Sequence, residues 1–329
     1  MKDRITEKII SGLIAAALSI AAAAVTSLVR TAELDSKMTG GYIKWVDFGV
    51  TASAMSDALE FDVSTYGTDR HISWLDILAC LGAKYGGNFS HYQKSDTKAF
   101  ADRLLSGEDA ESLSLKMKYF RYYREAYGAA LSGLVGEFYR DGEKQYGLRA
   151  FSPIAQGNGY SHYDDFGAAR SFGYRREHLG HDMMGQIGTP IIAVESGYVE
   201  AVGWNRYGGW RIGIRSFDSK RYYYYAHLRK DHPYADISKG DIVTAGDVIG
   251  YLGMTGYSDK ENVNNINIPH LHFGLQLIFD ASQKDGNGEI WVDVYELTKF
   301  LSQSRMAVKK CSDGEYRSKT EIAIFDIPD

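Results

Sequence analysis

The distribution of apolar and polar residues divides the chain into three stretches, and the first is uninterruptedly apolar. Residues 9–29 carry no charge over 21 positions, and as a helix they would span roughly 32 Å, about the thickness of a bilayer core. Three basic residues precede this segment, which favours a cytoplasmic N-terminus. We therefore expect residues 1–38 to form a cytoplasmic tip and a transmembrane anchor, with the rest of the chain outside the cytoplasm. A cleaved signal peptide is the alternative, because three adjacent alanines at 22–24 suit cleavage.

The second stretch, residues 39–148, has apolar residues at helical spacing and no proline. The segment from Ile72 to Lys84 predicts a helix closed by Gly86. A second helix is predicted around residues 98–105, with Ser95 or Asp96 as its N-terminal cap. These patterns predict a helical domain over residues 39–148, to which we assign no role.

A longer helical pattern runs from Asp109 to Arg140. One predicted face of that helix comprises Leu115, Tyr119, Tyr122, Ala126, Ala129 and Gly133. The aromatic run FRYYREAY lies within it, and we expect these rings to pack at a helix interface rather than to form a sugar-binding platform.

The third stretch, from about residue 149, alternates short apolar runs with Gly, Asn and Asp. The candidate strands are residues 189–194, 197–204, 210–216, 221–227, 247–253 and 270–278. Because no helical pattern separates them, a parallel sheet is disfavoured and an antiparallel sandwich or barrel is expected. The predicted class is α+β multidomain, with a β-sheet domain over residues 149–305 and a C-terminal tail over 306–329.

Composition narrows the chemistry. The formal charge of -5 at pH 7 gives no basic excess for nucleic acid. Two cysteines cannot build a disulfide framework or a thiolate metal cluster, so a metal site would use histidines and carboxylates. Cys80 lies in an apolar helical pattern and Cys311 in a charged tail, and a bond between them is left open.

Seven of the nine histidines lie between residues 162 and 272, and five of these fall in three clusters. His178 and Asp182 are four residues apart, which lets a turn bring two ligands together. His227 follows four tyrosines. His270 and His272 alternate in a predicted strand, so their side chains project from the same face.

Two histidines and one carboxylate suit a catalytic Zn²⁺ with a fourth position for water. Each cluster alone also fits surface or hydrogen-bonded histidines, and spacing does not exclude His181 as a ligand. The HExxH signature is absent, so no helix supplies a glutamate base and proton transfer would fall to a histidine.

Taken in order, the segments DDFGAAR, REHLGHD, GTPIIAVESGYV, YYYAHL, GDIVTAGDVIGYLGMTG and PHLHFGLQL resemble the lysostaphin/LytM-type zinc endopeptidases. The resemblance covers roughly residues 160–280. It implies that His178, Asp182 and His272 are the zinc ligands. It also implies that His227 and His270 are catalytic residues that do not bind the metal, in an antiparallel domain of the duplicated-hybrid-motif type.

The function implied by the resemblance is zinc-dependent hydrolysis of peptide bonds in bacterial peptidoglycan, within stem peptides or cross-bridges. One alternative is a catalytically inactive relative that serves as a cell-envelope binding module. A lipoyl- or biotinyl-type carrier is a second alternative, suggested by the hairpin at residues 240–253. A carrier needs a lysine at a hairpin tip, and Lys116 lies in the helical stretch instead.

Overall fold

The computed structural model describes residues 44–172, 174–285 and 288–324. The described residues of 45–280 and 290–324 form one compact unit. Residues 281–285 lie outside this unit and form a 3₁₀ turn, Ala281–Asp285.

The prediction of a membrane-anchored protein is wrong for the residues that the structure describes. None of their helices is long and apolar enough to cross a bilayer. The longest has 14 residues, which spans about 21 Å where a bilayer core needs about 30 Å. Residues 9–29, on which the prediction rested, lie outside the described residues.

The helical elements precede the large sheet along the chain, with one exception near the C-terminus. The helices are α1 (Ala52–Thr65), α2 (Trp74–Tyr85), α3 (Lys94–Leu105), α4 (Ala110–Lys116), α5 (Phe120–Leu131) and α6 (Tyr295–Leu301). The predicted helix ending at Gly86 is confirmed as α2, and Gly86 ends it in the left-handed conformation at φ 63°. The predicted caps of α3 are wrong, because Gln93 precedes that helix and makes no side-chain capping bond.

The long helix predicted from Asp109 to Arg140 is replaced by two short helices and a strand. Tyr119 separates α4 from α5 with a left-handed backbone at φ 68°, which an α-helix cannot continue through. The predicted apolar face is also wrong, since Leu115 is 82% exposed whereas Leu113 is buried. The break at Tyr119 changes the phase of the helix, so the buried face of α5 is formed by Phe120, Tyr127, Ala130 and Leu131.

The remaining elements are a 3₁₀ turn, Phe89–His91, and the strands. In chain order they are β1 (Lys44–Val46), β2 (Val135–Arg140), β3 (Glu143–Leu148), β4 (Tyr160–Tyr163), β5 (Ala169–Phe172), β6 (Tyr174–Glu177), β7 (His181–Gly185), β8 (Pro190–Ile192), β9 (Gly197–Asn205), β10 (Gly209–Ser216), β11 (Arg221–Ala226), β12 (Ile242–Val243), β13 (Val248–Tyr251), β14 (His270–Leu277), β15 (Ile290–Val292), β16 (Val308–Lys310), β17 (Tyr316–Ser318) and β18 (Ile322–Ala323). All six predicted strands are present, as β8, β9, β10, β11, β13 and β14.

A nine-stranded antiparallel sheet carries the candidate site. Its main path runs β1-β15-β14-β11-β10-β9-β12, and β7 joins β14 on one side and β4 on the other. Strand β14 therefore has two partners along one edge. Its first half, His270 to Phe273, pairs with β7, and its second half, Leu275 to Leu277, pairs with β15.

The helices and the sheet share one continuous apolar core. Trp74 of α2 stacks on Phe300 of α6 at 5.8 Å between ring centroids, and Leu271 and Phe273 of β14 are fully buried. Arg221 of β11 is 2% exposed and donates to the carbonyl of Ala129 at the end of α5 over 3.1 Å. Packing across both segments thus fixes the sheet that holds the site.

The predicted division between residues 39–148 and 149–305 stays a prediction. Two strand pairings of the structure bear on it. Residues 135–148 form the hairpin β2–β3 rather than helix. Strand β18, in the predicted tail, pairs with β2.

Cys80 is buried in α2, and both it and Cys311 are free thiols.

Candidate metal centre and cleft

Asp182 and His272 face each other across two paired strands. In the register between β7 and β14, His272 lies opposite Asp182, and His272 lies opposite Ala226 of β11 on its other side. Directly opposed residues of an antiparallel pair project to the same face of the sheet. Because side chains alternate along β14, His270 and His272 share one face of the sheet. Asp182 projects from that same face beside His272.

His178 enters this group from the turn between β6 and β7. Its backbone N–H donates to Ala168 over 2.8 Å, which extends the β5–β6 hairpin by one pair. Gly180 then lets the chain turn into β7, because a Cβ at that position would lie 2.6 Å from Nε2 of His272. A glycine is therefore required to bring the two histidines together.

Three donor atoms converge at this point. Nε2 of His178 lies 3.1 Å from Oδ1 of Asp182 and 2.9 Å from Nδ1 of His272, and that Nδ1 lies 3.0 Å from the same Oδ1. Ligands held about 2.0–2.1 Å from a tetrahedral ion are separated by about 3.3 Å. Two imidazole nitrogens and one carboxylate oxygen at this spacing fit a zinc ion, and this is the one such cluster found among the described residues.

A second layer of charged residues orients the group. Nδ1 of His178 lies 2.9 Å from Oδ1 of Asp165, so the carboxylate fixes which nitrogen turns inward. Arg170 pairs with Asp165 and its Nη2 lies 3.5 Å from Oδ2 of Asp182. Burial alone would lower the pKa of His178, but Asp165 and Asp182 together raise it to about 9.

His227 and His270 lie beside the cluster without joining it. Their ring centroids are 4.8 Å apart, and His227 lies 5.8 Å from the ring of His272. Nδ1 of His227 donates to the carbonyl of Thr255 over 2.8 Å, and Nδ1 of His270 donates to that of Ile268 over 2.8 Å. Because each proton is held on Nδ1, both neutral rings keep a free lone pair on Nε2.

The electrostatics favour a neutral His227. Burial, followed by the neighbouring His270 and His272, holds the pKa of His227 well below its usual value. Burial likewise lowers the pKa of His272. Burial alone would raise the pKa of the Asp182 carboxyl, but hydrogen bonds from His178 and His272 outweigh burial and lower it.

His181 lies outside the cluster. Its Nε2 lies 2.7 Å from Nδ1 of His162, and the two rings are stacked at 5.0 Å. Burial, reinforced by His162, lowers the pKa of His181 to about 3. Spacing along the sequence could not decide whether His178 or His181 is a ligand. In the structure, His181 and Asp182 are adjacent in an extended strand, so their side chains point to opposite faces.

The sequence interpretation missed Asp165, Arg170 and Thr255. Asp165 and Arg170 lie in the DDFGAAR segment, but no spacing rule marks Asp165 as the partner of a histidine 13 residues later or Arg170 as a neighbour of Asp182. Thr255 acts through its backbone carbonyl, which carries no side-chain signature. Only the folded loops bring these groups to the cluster.

Comparison with known proteins agrees with this architecture. Residues 176–285 match the model of "Peptidase family M23". The L-Ala--D-Glu endopeptidase of Bacillus subtilis (strain 168) is 37% identical over 182 residues, which cover 54% of this chain and 52% of that protein. Lysostaphin of Staphylococcus staphylolyticus is 40% identical over 97 residues, 29% of this chain and 18% of that protein. The chain thus spans about half or less of the length of these relatives.

One solved structure matches most of the chain. It comes from Ruminococcus gnavus ATCC 29149 and is described as a candidate glycyl-glycine endopeptidase lytM. The match has a TM-score of 0.51 and 21% identity, and it covers 79% of this chain and 90% of that one. At this identity the likeness establishes the shared fold.

Proposed function

We propose that the protein is a zinc-dependent endopeptidase that hydrolyses peptide bonds of bacterial peptidoglycan, since residues 176–285 match the model of peptidase family M23. The observation that carries the proposal is the convergence of His178, Asp182 and His272 beside two further histidines. The names of the relatives, an L-Ala--D-Glu endopeptidase and lysostaphin, support a peptide substrate from the cell wall. The substrate bonds are those of stem peptides or cross-bridges.

His178, Asp182 and His272 would hold the metal, with Asp165 fixing the orientation of His178. A zinc ion held by these residues would supply Lewis-acid chemistry, which polarises a carbonyl and lowers the pKa of a water molecule. The buried carboxylate of Asp182 lies within 3.6 Å of three imidazole rings, so it contributes the negative charge of the ligand set. Three protein ligands leave a further position open for catalysis.

His227 and His270 would carry out the proton transfers of the reaction. Each neutral ring offers Nε2 as an acceptor, because Nδ1 is occupied by a backbone carbonyl. The ring that accepts a proton from the attacking water becomes a donor at Nε2. It can then hydrogen-bond the developing oxyanion or return the proton to the leaving amine. A pair of acceptors at the cleft thus supplies both the base and, one step later, the acid.

The test is digestion of purified peptidoglycan by the zinc-loaded chain, with identification of the released muropeptides by mass spectrometry. We expect new amino termini within stem peptides or cross-bridges, and no cleavage after the metal is removed by a chelator. Cleavage restored by added zinc would tie the activity to the metal. A chain that binds zinc in one equivalent and leaves peptidoglycan intact would instead favour the cell-envelope binding module.

A further inference from the structure

An arginine and three aromatic rings form a wall beside the candidate cleft. Arg176 of β6 lies between two tyrosines, with its Cζ 4.7 Å from the ring centroid of Tyr207 and 5.0 Å from that of Tyr257. Phe172 of β5 stacks on Tyr257 at 5.4 Å. We call these four residues the aromatic–arginine wall.

The wall is assembled from three segments that hold one another in place. The β9–β10 turn and the loop after β13 are joined by two backbone hydrogen bonds, from Tyr257 to Tyr207 at 3.2 Å and from Ser258 to Arg206 at 2.9 Å. Arg206 lies over the ring of Phe172 at 5.5 Å and pairs with Asp259 at 3.1 Å. The position of Arg176 is therefore fixed before any substrate binds.

The wall faces the catalytic histidines. The ring of Tyr257 lies 5.7 Å from that of His227. Arg176 precedes His178 by two residues in an extended hairpin, so both side chains project to the same face. Arg176 also pairs directly with Arg170 across the hairpin, and Arg170 reaches Asp182 on that face. A substrate seated at the histidines would extend along Arg176.

The charge of Arg176 has no carboxylate partner among the described residues. Its one hydrogen bond there is donated by Nη1 to the carbonyl of Phe172 over 3.4 Å. Arg170 and Arg206, in contrast, are both paired with aspartates. A guanidinium carries five donors, and stacking between rings orients it without using them. A carboxylate is the group that such a fork binds best.

We propose that Arg176 determines specificity by binding a carboxylate of the substrate near the scissile bond. The enzyme would thereby select an acidic peptide, of the L-Ala–D-Glu type, over a neutral oligoglycine bridge. This inference rests on the proposed peptidase function, and it names the class of substrate for the same cleft.

The experiment compares two stem peptides that differ at one group. One carries the free glutamyl carboxylate and the other carries the amide of that carboxylate. An oligoglycine peptide is the neutral reference. For the zinc-loaded full chain we expect kcat/KM to favour the acid over the amide by about 10- to 100-fold, chiefly through KM, as loss of a charge-assisted hydrogen bond implies.

Neighbouring arginines of β6 supply the matched control. Arg176→Gln should remove the preference for the acid, because it lowers cleavage of the acid much more than cleavage of the amide. Arg175→Gln removes the same charge from the adjacent, exposed position and should keep the preference. Arg176→Lys retains the charge and should keep part of the preference, which a merely structural role in the wall would not produce.

Two results would overturn the inference: equal cleavage of acid and amide by the unaltered chain, or an equal loss on both peptides in Arg176→Gln. Binding to the same peptide pair with an N-methylated scissile amide measures the preference without turnover. If the chain cuts neither the peptides nor peptidoglycan, the proposed function fails, while a 10-fold or greater binding preference for the acid that is lost in Arg176→Gln still supports the carboxylate site.

Discussion

Asp182 is the side chain on which the cluster depends. Its Oδ1 lies 3.1 Å from His178, 3.0 Å from His272 and 3.6 Å from His270, and the residue is 6% exposed. Removing its charge would take away one of the three candidate metal ligands and the carboxylate that His178 and His272 share.

The first prediction follows from that position. Asp182→Asn keeps the shape of the side chain and removes its charge, so we expect zinc affinity to fall by at least about 100-fold. His181→Ala alters a buried histidine next to it that points away from the cluster, and it should retain one zinc per chain. Metal content after dialysis measures both. Retention of zinc by Asp182→Asn together with its loss in His181→Ala would reverse the assignment of ligands.

The second prediction separates binding from catalysis. His227→Ala and His270→Ala should each keep zinc stoichiometry and lower turnover by roughly 10²- to 10⁴-fold, since each removes a proton-transfer group. The double variant should fall short of the product of the two losses, because both groups act on one transition state. Loss of zinc in His270→Ala would mean that both rings of the His270–His272 pair are ligands.

The third prediction concerns the acidic side of the pH–rate profile. The proposed mechanism requires a neutral His227, and burial with two neighbouring imidazoles lowers the pKa of that ring well below 6.5. A lowered pKa means that the neutral form persists as the pH falls through 6.5, and the positive charge of a bound metal would lower the pKa further. The acidic limb of kcat/KM should therefore lie below pH 6.5. An acidic midpoint at pH 7 or above would exclude His227 as its origin.

At the scale of elements, the turn between α5 and β2 attaches the helices to the sheet. Arg221 pairs with Glu195 through Nε at 2.8 Å and Nη2 at 2.9 Å, and Tyr223 donates to the same carboxylate over 2.6 Å. Gly133 lies directly over this buried network, and a Cβ there would collide with Glu195 and Arg221. The turn can approach the sheet because that residue has no side chain.

Gly133→Ala is accordingly expected to lower the free energy of unfolding by about 2–4 kcal/mol, the cost of displacing a buried, fully hydrogen-bonded ion pair. Gly128→Ala is the matched control, since Gly128 is inside α5 with open space around its Cα. That substitution should stabilise the protein by up to about 1 kcal/mol through helix propensity. Urea unfolding of both variants provides the comparison, and equal stabilities would show that the network can shift without cost.

At the scale of the whole molecule, the helical segment and the sheet belong to one compact unit with a shared core. Trp74 in α2 covers Phe300 in α6, and the buried Arg221 hydrogen-bonds Ala129 in α5. Separating the two segments would expose these apolar and charged groups together.

We therefore predict that residues 149–305 alone unfold at a temperature at least about 10 °C below that of the full chain, since each kcal/mol lost shifts Tm by a few degrees at this size. Calorimetry of both chains, each loaded with zinc, checks this. A fragment with an unchanged Tm would support the predicted boundary at residue 149 as a true domain boundary.

The local sequence was sufficient for six of the strands, β8, β9, β10, β11, β13 and β14, and for the identity of the clustered histidines. In runs such as residues 210–216, apolar side chains alternate with other residues. This period of two appears wherever one face of a strand is buried. His270 and His272 share a face for the same reason. The resemblance to a known family then singled out His178, Asp182 and His272, which the structure brings within bonding reach of one ion.

What the tertiary structure alone decided is which element lies opposite which. The sequence did not reveal that β14 is shared between β7 and β15, that Asp165 orients His178, or that Arg176 lies between two tyrosines. It also predicted a continuous helix through Tyr119, because periodicity averages over many positions and a single left-handed residue leaves the average almost unchanged. Periodicity shows that a face is buried, but long-range packing fixes the partner that buries it. The arrangement of the candidate site therefore followed only from the fold.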